Sequence, residues 1–204
     1  MNMSKGRVTK EHILNTAFEL ASINGLESLT IGALAKQCGM SKSGLFAHFN
    51  SKDNLQVSVL EYANLIFTQR VISPARLQDT VSIEDKLIAL MDNWLSWNHS
   101  FQGSCMFLDA WKDNAASPNE TQVALKKTIS TWINYLQIQI EKGVESGEFH
   151  QNLDPKQAAF ELYGLYLSAH LFYSIRGEQA SYQHFWQGVK RLFVSWRSDN
   201  IDSH

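Results

Sequence analysis

The 204 residues include only two cysteines, three prolines and 11 glycines. Cys38 and Cys105 stand 67 positions apart, so they supply neither a disulfide framework nor a four-thiolate zinc site. The scarcity of proline and glycine excludes collagen-like and low-complexity classes. No apolar run approaches the roughly 18 residues of a membrane helix, and no N-terminal stretch has the apolar core of a secretory signal. Neither sign of charge is in excess: 18 Lys and Arg face 20 Asp and Glu, a formal net charge of −2. As a bulk value that disfavours a basic nucleic-acid binder. A cytoplasmic protein with no membrane partner is expected. Catalytic signatures are missing too. There is no HExxH, P-loop, GxGxxG or GxSxG pattern, and His99, His150, His170 and His184 show no metal spacing. No enzyme activity, metal or cofactor is expected.

What is present is unevenly spread. Residues 1–55 hold six cations (Lys5, Arg7, Lys10, Lys36, Lys42, Lys52) against four acids (Glu11, Glu19, Glu27, Asp53), a balance of +2, while the other 149 residues balance to −4. Only Phe18, Phe46 and Phe49 of the aromatics (11 Phe, 6 Tyr, 6 Trp) lie in residues 1–55. A small, slightly basic module precedes a larger, acidic, aromatic-rich one. Such asymmetry points to nucleic-acid contact at one end. The expected boundary divides residues 1–51 from 52–204.

Hydrophobic spacing is helical nearly throughout, and period-2 alternation is scarce, so an all-α fold of about nine helices is expected. Residues 10–24 put Ile13, Leu14, Ala17, Phe18 and Ala21 on one stripe, with Thr9 as N-cap and Gly25 as the stop. Residues 30–38 start at Thr30, bury Ile31, Leu34, Ala35 and Cys38, and stop at Gly39. Residues 41–48 start at Ser41 and bury Leu45 and Phe49. Ser51 caps a long helix that Ser73-Pro74 should break. Ser82-Ile83-Glu84-Asp85 and Ser117-Pro118-Asn119-Glu120 read as capping boxes, and Asp154-Pro155 as a capped start. Ser181 is expected to cap a last helix over 182–197, and Gly147 and Gly177 to stop helices.

Two short helices joined by Gly39-Met40 form a helix-turn-helix candidate. Ser41, Lys42, Ser43 and Gly44 open the second helix with small groups, hydroxyls and a cation, which suit close approach to a groove and its phosphates. Lys52 stands in a first helical turn, where the helix dipole disfavours a cation; a phosphate partner would explain it, as would simple solvation beside Asp53. The basic stretch Lys5, Arg7, Lys10 reads either as a DNA-seeking arm or as an ordinary chain start.

The stretch Ile13–Leu60, ILNTAFELASINGLESLTIGALAKQCGMSKSGLFAHFNSKDNLQVSVL, resembles the DNA-binding domain of TetR-family transcriptional regulators. The likeness is carried by Ala17, Phe18, Gly25, Thr30-Ile31, Leu34-Ala35, Gly39, Ser41, Gly44, Phe46, His48-Phe49 and Ser51-Lys52-Asp53. It implies an N-terminal three-helix domain and a C-terminal helical domain for ligand binding and dimerisation. It also implies that Thr30 and His48 approach phosphates, that Lys42, Ser43 and Gly44 face the groove, and that Lys52 touches the DNA backbone. Phe46 departs from the family, in which many members carry a phosphate-bonding Tyr there. Cys38 stands where a small residue is common.

In the second module the aromatics concentrate. Trp94, Trp97, Phe101, Met106, Phe107 and Trp111 fall within residues 94–111, Trp132 and Tyr135 on the next long helix, and Tyr163, Tyr166, His170 and Tyr173 on the one after. Two readings stand: packed core, or a pocket for a flat or apolar ligand lined by Trp94, Trp97, Phe107, Trp111, Tyr135, Tyr163, Tyr166 and His170. Cys105 reads as a buried inert thiol or as an electrophile-sensitive thiolate at a helix start. Helices 156–176 and 182–197, the latter with Phe185, Trp186, Val189, Leu192, Phe193 and Trp196 on one stripe, are the candidate homodimer surface. The expected whole is a homodimeric repressor released from a palindromic operator by a small apolar or aromatic ligand. A DNA-binding protein without a small-molecule switch and an all-helical enzyme are the rivals.

Overall fold

The structure, a computed structural model, describes residues 5–78, 82–99, 105–113 and 119–198. Phe101 and the Ser117-Pro118 start fall outside these, as does the side chain of His99. The helices are α1 (Lys5–Asn24), α2 (Ile31–Gln37), α3 (Lys42–Phe49), α4 (Lys52–Phe67), α5 (Ser73–Leu77), α6 (Ile83–His99), α7 (Met106–Asp113), α8 (Glu120–Glu145), α9 (Pro155–Arg176) and α10 (Glu178–Trp196). A 3-10 turn spans Leu26–Ser28, and a π turn over Thr68–Ile72 joins α4 to α5 without a break. Counting that continuous run once, the described residues form nine helices. Their one extended pairing is an isolated bridge between Phe149 and Arg197. No helix among them is long and apolar enough to cross a membrane.

The chain divides into two compact units, Met1–Phe67 with Ser104–Ile129, and Thr68–Gly103 with Ser130–His204. In the first unit, α1 buries Ile13, Ala17, Phe18 and Ala21 at helical spacing. Gly25 ends it with φ 81°. The cores of α2 (Leu34, Ala35), α3 (Leu45, Phe49) and α4 (Leu55, Val59, Leu60, Ala63) are fully covered. Tyr62 of α4 meets the Phe18 ring edge-on at 6.0 Å, and its hydroxyl donates to Asn15 at 3.2 Å. The buried Gln56 donates to the Leu26 carbonyl at 3.1 Å and accepts from Thr121 at 3.4 Å.

In the second unit, α9 and α10 run antiparallel. Leu165 meets Gly188, while the Ser181 hydroxyl donates to the Ala169 carbonyl at 2.7 Å. Glu148 accepts from the Ile83 N–H at 2.8 Å and caps α6 together with Ser82, which accepts from Asp85 N–H at 3.0 Å. Arg197 pairs with Glu84 near the same helix start.

Three expected boundaries are corrected. Helix α1 begins at Lys5, so Thr9 lies inside it and does not mark its start. At the start of α8, the Asn119 side chain accepts from Gln122 N–H at 2.8 Å. Ser181 is interior to α10; the left-handed Gly177 (φ 85°) lets α10 start at Glu178, which frees the Ser181 hydroxyl for Ala169. Ser73-Pro74 does not end the helix. Proline lacks an N–H and crowds the carbonyl four residues back, which a first-turn position and wider π bonding before it both relieve. Ile31 and Cys38 are half-buried and not core, because α2 spans barely two turns and turns only Leu34 and Ala35 inward.

Candidate nucleic-acid interface and aromatic cluster

Helices α2 and α3 start in the same way. Thr30 Oγ accepts from Ala33 N–H at 3.1 Å, and Ser41 Oγ accepts from Gly44 N–H at 3.1 Å. Both caps are neutral, and neither helix has an acid in its first turn. By contrast α4, α6, α8 and α10 each carry Asp or Glu there. A helix start holds a partial charge of about +0.5. At α2 and α3 it stays uncompensated, which is the condition for holding a phosphate.

Lys42 adds a full charge at the same place. A Cβ built on Gly32, in the first turn of α2, would stand 3.1 Å from Lys42 Cε. The lysine stem therefore lies along α2's start. Ser43 Oγ lies 3.2 Å from Ser41 Oγ. The exposed residues of α3 are Lys42, Ser43, Phe46 and Ala47, followed by Asn50, one face of a helix. Phe46 is 51% exposed although it is fully apolar. His48 is half-buried, its ring 6.2 Å from Phe49. Lys52 donates to the Glu27 carbonyl and carboxylate, both at 3.0 Å. That pairing offsets its unfavourable place in the first turn of α4 and pins the 3-10 turn to that helix.

The second unit gathers a different set. Trp94 of α6 stacks on Tyr166 of α9 with centroids 3.6 Å apart and planes 10° from parallel. Trp132 and Tyr163 meet Trp94 at 5.1 and 5.2 Å. Tyr135 stacks on Trp132 at 5.9 Å. Trp94 is 3% and Tyr166 0% exposed, so these rings form a packed cluster whose half-buried margin is Tyr135 and Tyr163.

Two family models match. "Bacterial regulatory proteins, tetR family" covers residues 13–59, and "Tetracyclin repressor-like, C-terminal domain" covers 84–189. The chain belongs to the TetR family of transcriptional regulators. It is 26% identical over 151 residues to the nucleoid occlusion factor SlmA of Marinobacter nauticus, spanning 74% of this chain and 73% of that one. It is 24% identical over 173 residues to the transcriptional repressor NemR of Escherichia coli K12, spanning 84% and 86%. Among solved structures, AibR in complex with isovaleryl coenzyme A and operator DNA superposes with a TM-score of 0.69 at 22% identity, over 91% of this chain and 98% of that one. Proteins of this family are DNA-binding regulators, not enzymes, and so is this one.

Within this TetR-family regulator the eight expected reader residues all lie on or beside α2 and α3 or at the start of α4. Gly44 lies in the first turn of α3. It is half-buried, and a Cβ there would come 3.1 Å from Ser41 Oγ, so its bareness serves the cap. Ala47 and Asn50 complete the exposed face and were not among the expected residues. Counting four and seven onward from Ser43 locates both. Of the eight expected pocket residues, Trp94, Tyr135, Tyr163 and Tyr166 come together, with Trp132. Trp97 is buried on α6, and His170 is half-buried one turn beyond Tyr166. Phe107 and Trp111 belong to the first unit, where Phe107 meets Phe67 at 6.2 Å and Trp111 is 40% exposed. Cys105 is buried at the start of α7.

Proposed function

We propose that this regulator is a homodimeric repressor in the cytoplasm, with residues 1–51 as the DNA reader and 52–204 as the ligand-binding and dimerisation part. The uncompensated, hydroxyl-capped starts of α2 and α3, joined by Lys42, carry the reading. Each capping hydroxyl uses a lone pair on its own helix. The Thr30 proton remains available for a phosphate oxygen, as does that of Ser41 or Ser43. Lys42, Ser43, Phe46 and Ala47 face the major groove, where the apolar pair suits thymine methyl groups. His48 and Lys52 flank them toward the DNA backbone.

The dimer surface is α9 with α10. Seven of the 15 exposed large apolar residues among the described residues lie there: Phe160, Leu167, Leu171, Phe172, Ile175, Tyr182 and Val194. Gly164, on the same face of α9 as Phe160 and Leu167, has open space at its Cβ, leaving room for a close-packed partner helix. Two readers related by a two-fold axis need a near-palindromic operator with half-sites about 34–36 Å apart or a multiple of that.

A small apolar or aromatic ligand bound at the Trp94 cluster releases the operator by favouring a non-binding state, with α4 and the π turn as the coupling element. AibR, in complex with both an acyl coenzyme A and operator DNA, supports ligand control in this fold. Sedimentation and fluorescence anisotropy on a selected duplex test the proposal. A two-chain complex whose DNA affinity falls on adding an aromatic compound is expected. A monomer, or affinity indifferent to every compound found to bind, overturns it.

A further inference from the structure

Arg76 of α5 sits on the edge of the aromatic cluster. Its Nε donates to Tyr135 Oη at 3.2 Å, and its guanidinium carbon stands 5.1 Å from the Tyr135 ring centre. Among the described residues this is its sole partner: no carboxylate pairs with it, and the side chain is exposed. Tyr135 Oη uses a lone pair on Arg76 and keeps its proton to donate. The two terminal guanidinium nitrogens and the Tyr135 O–H have no acceptor among the described residues.

One turn along the same face of α8 lies Gln139, only 2% exposed, with Oε1 lacking any hydrogen-bond partner. A buried acceptor left unpaired is unfavourable, because it has given up water for no partner. The Gln139 amide nitrogen donates to the Tyr135 carbonyl at 3.5 Å, which holds the Gln139 head group beside Tyr135. Acceptors wanted at one point and a donor wanted a turn away describe a molecule with both.

We propose that Arg76 and Tyr135 form an anion seat, and that the effector is an aromatic carboxylic acid carrying a ring N–H or O–H. The carboxylate takes the guanidinium in a forked pair and accepts from the Tyr135 hydroxyl. The flat body lies against the half-buried Tyr135 and Tyr163 margin, and its donor meets Gln139. Because α5 follows the π turn directly, an acid held by Arg76 acts on the last turn of the run that begins at α4. The inference rests on the ligand-controlled reading above and names the ligand class for it.

Isothermal calorimetry on the full chain tests the seat, with indole-3-acetate, 4-hydroxybenzoate and 2-naphthoate as probes against their primary amides. The donor-bearing acids should bind at one site per chain, at least about tenfold tighter than their amides. Arg76→Gln should erase that preference, and circular dichroism should show it folded, since Arg76 is exposed. Tyr135→Phe should weaken the acids by a factor of about 2–10. Amides binding as well as acids, a preference that survives Arg76→Gln, or no acid binding up to about 10 mM overturns the seat. DNA anisotropy separates this from the parent reading. An acid that binds through Arg76 yet leaves operator affinity unchanged upholds the seat and sinks release by ligand. Release by a neutral compound when no acid binds does the reverse.

Discussion

Helices α2 and α3 keep their chemistry outside, and the Trp94 cluster keeps its chemistry inside. On α3 the outward face carries Lys42, Ser43, Phe46, Ala47 and Asn50, and the helix starts are left electrically bare. In the second unit the helix starts are neutralised by Glu84, Asp85 and Glu178, while Trp94 and Tyr166 are sealed face to face. The proposed reader costs little stability, because its groups are already solvated. The proposed ligand site would make binding and folding depend on the same side chains. A substitution should therefore separate the two regions by what it changes.

Trp94→Ala should do the most damage. It removes a ring that touches Tyr166, Trp132 and Tyr163, and should destabilise the protein by about 3–5 kcal/mol in urea unfolding. A midpoint unchanged from wild type would mean the cluster is not packed as described. Gly143→Ala tests the same unit from another side. Its Cβ would land 2.3 Å from the buried Phe149 ring, a clash with a side chain that has no room to retreat. A loss of about 1–3 kcal/mol is expected from thermal unfolding, and a neutral outcome would show that Phe149 repacks.

Smaller effects belong to the reader. Ser41→Ala deletes the α3 cap and should cost about 0.5–2 kcal/mol, a larger share than any other single hydroxyl on that helix. Lys42→Ala and Phe46→Ala should shift stability by no more than about 0.5 kcal/mol, yet both should weaken DNA binding. If Lys42→Ala unfolds the protein as readily as Trp94→Ala does, the contrast between the regions fails. Lys52 stands between these cases. Replacing it by Ala breaks its link to Glu27, an exposed pair that contributes about 1 kcal/mol or less, so any larger loss in DNA binding reports a contact with the operator.

The same contrast decides what could be read in the chain beforehand. Thr30, Ser41, Ser51 and Asp154 cap the helices they were expected to cap, because a cap acts on a backbone group two or three residues away. Gly25, Gly39, Gly147 and Gly177 all take the positive φ that their places at helix ends require. Misreadings arose where a distant partner intervened. The Ser181 hydroxyl serves Ala169, twelve residues back, and the π turn before Pro74 gives the helix a way around a proline that local rules forbid. The aromatic cluster was legible as a surplus but not as a membership. Trp94, Trp132, Tyr163 and Tyr166 come from three helices, and spacing along the chain cannot say that Phe107 and Trp111 pack in the other unit. Arg76 was invisible for the same reason: its partner Tyr135 lies 59 residues away.

Selection of bound duplexes from a random pool, followed by salt titration on the winner, tests the reader most directly. The account predicts a near-palindrome with half-sites about one helical turn or a multiple apart. It also predicts that Lys42→Ala lowers the slope of log affinity against log salt by about 0.9 per protomer. An enriched sequence without two-fold symmetry, or a slope that Lys42→Ala leaves unchanged, would contradict a dimer reading DNA through the starts of α2 and α3.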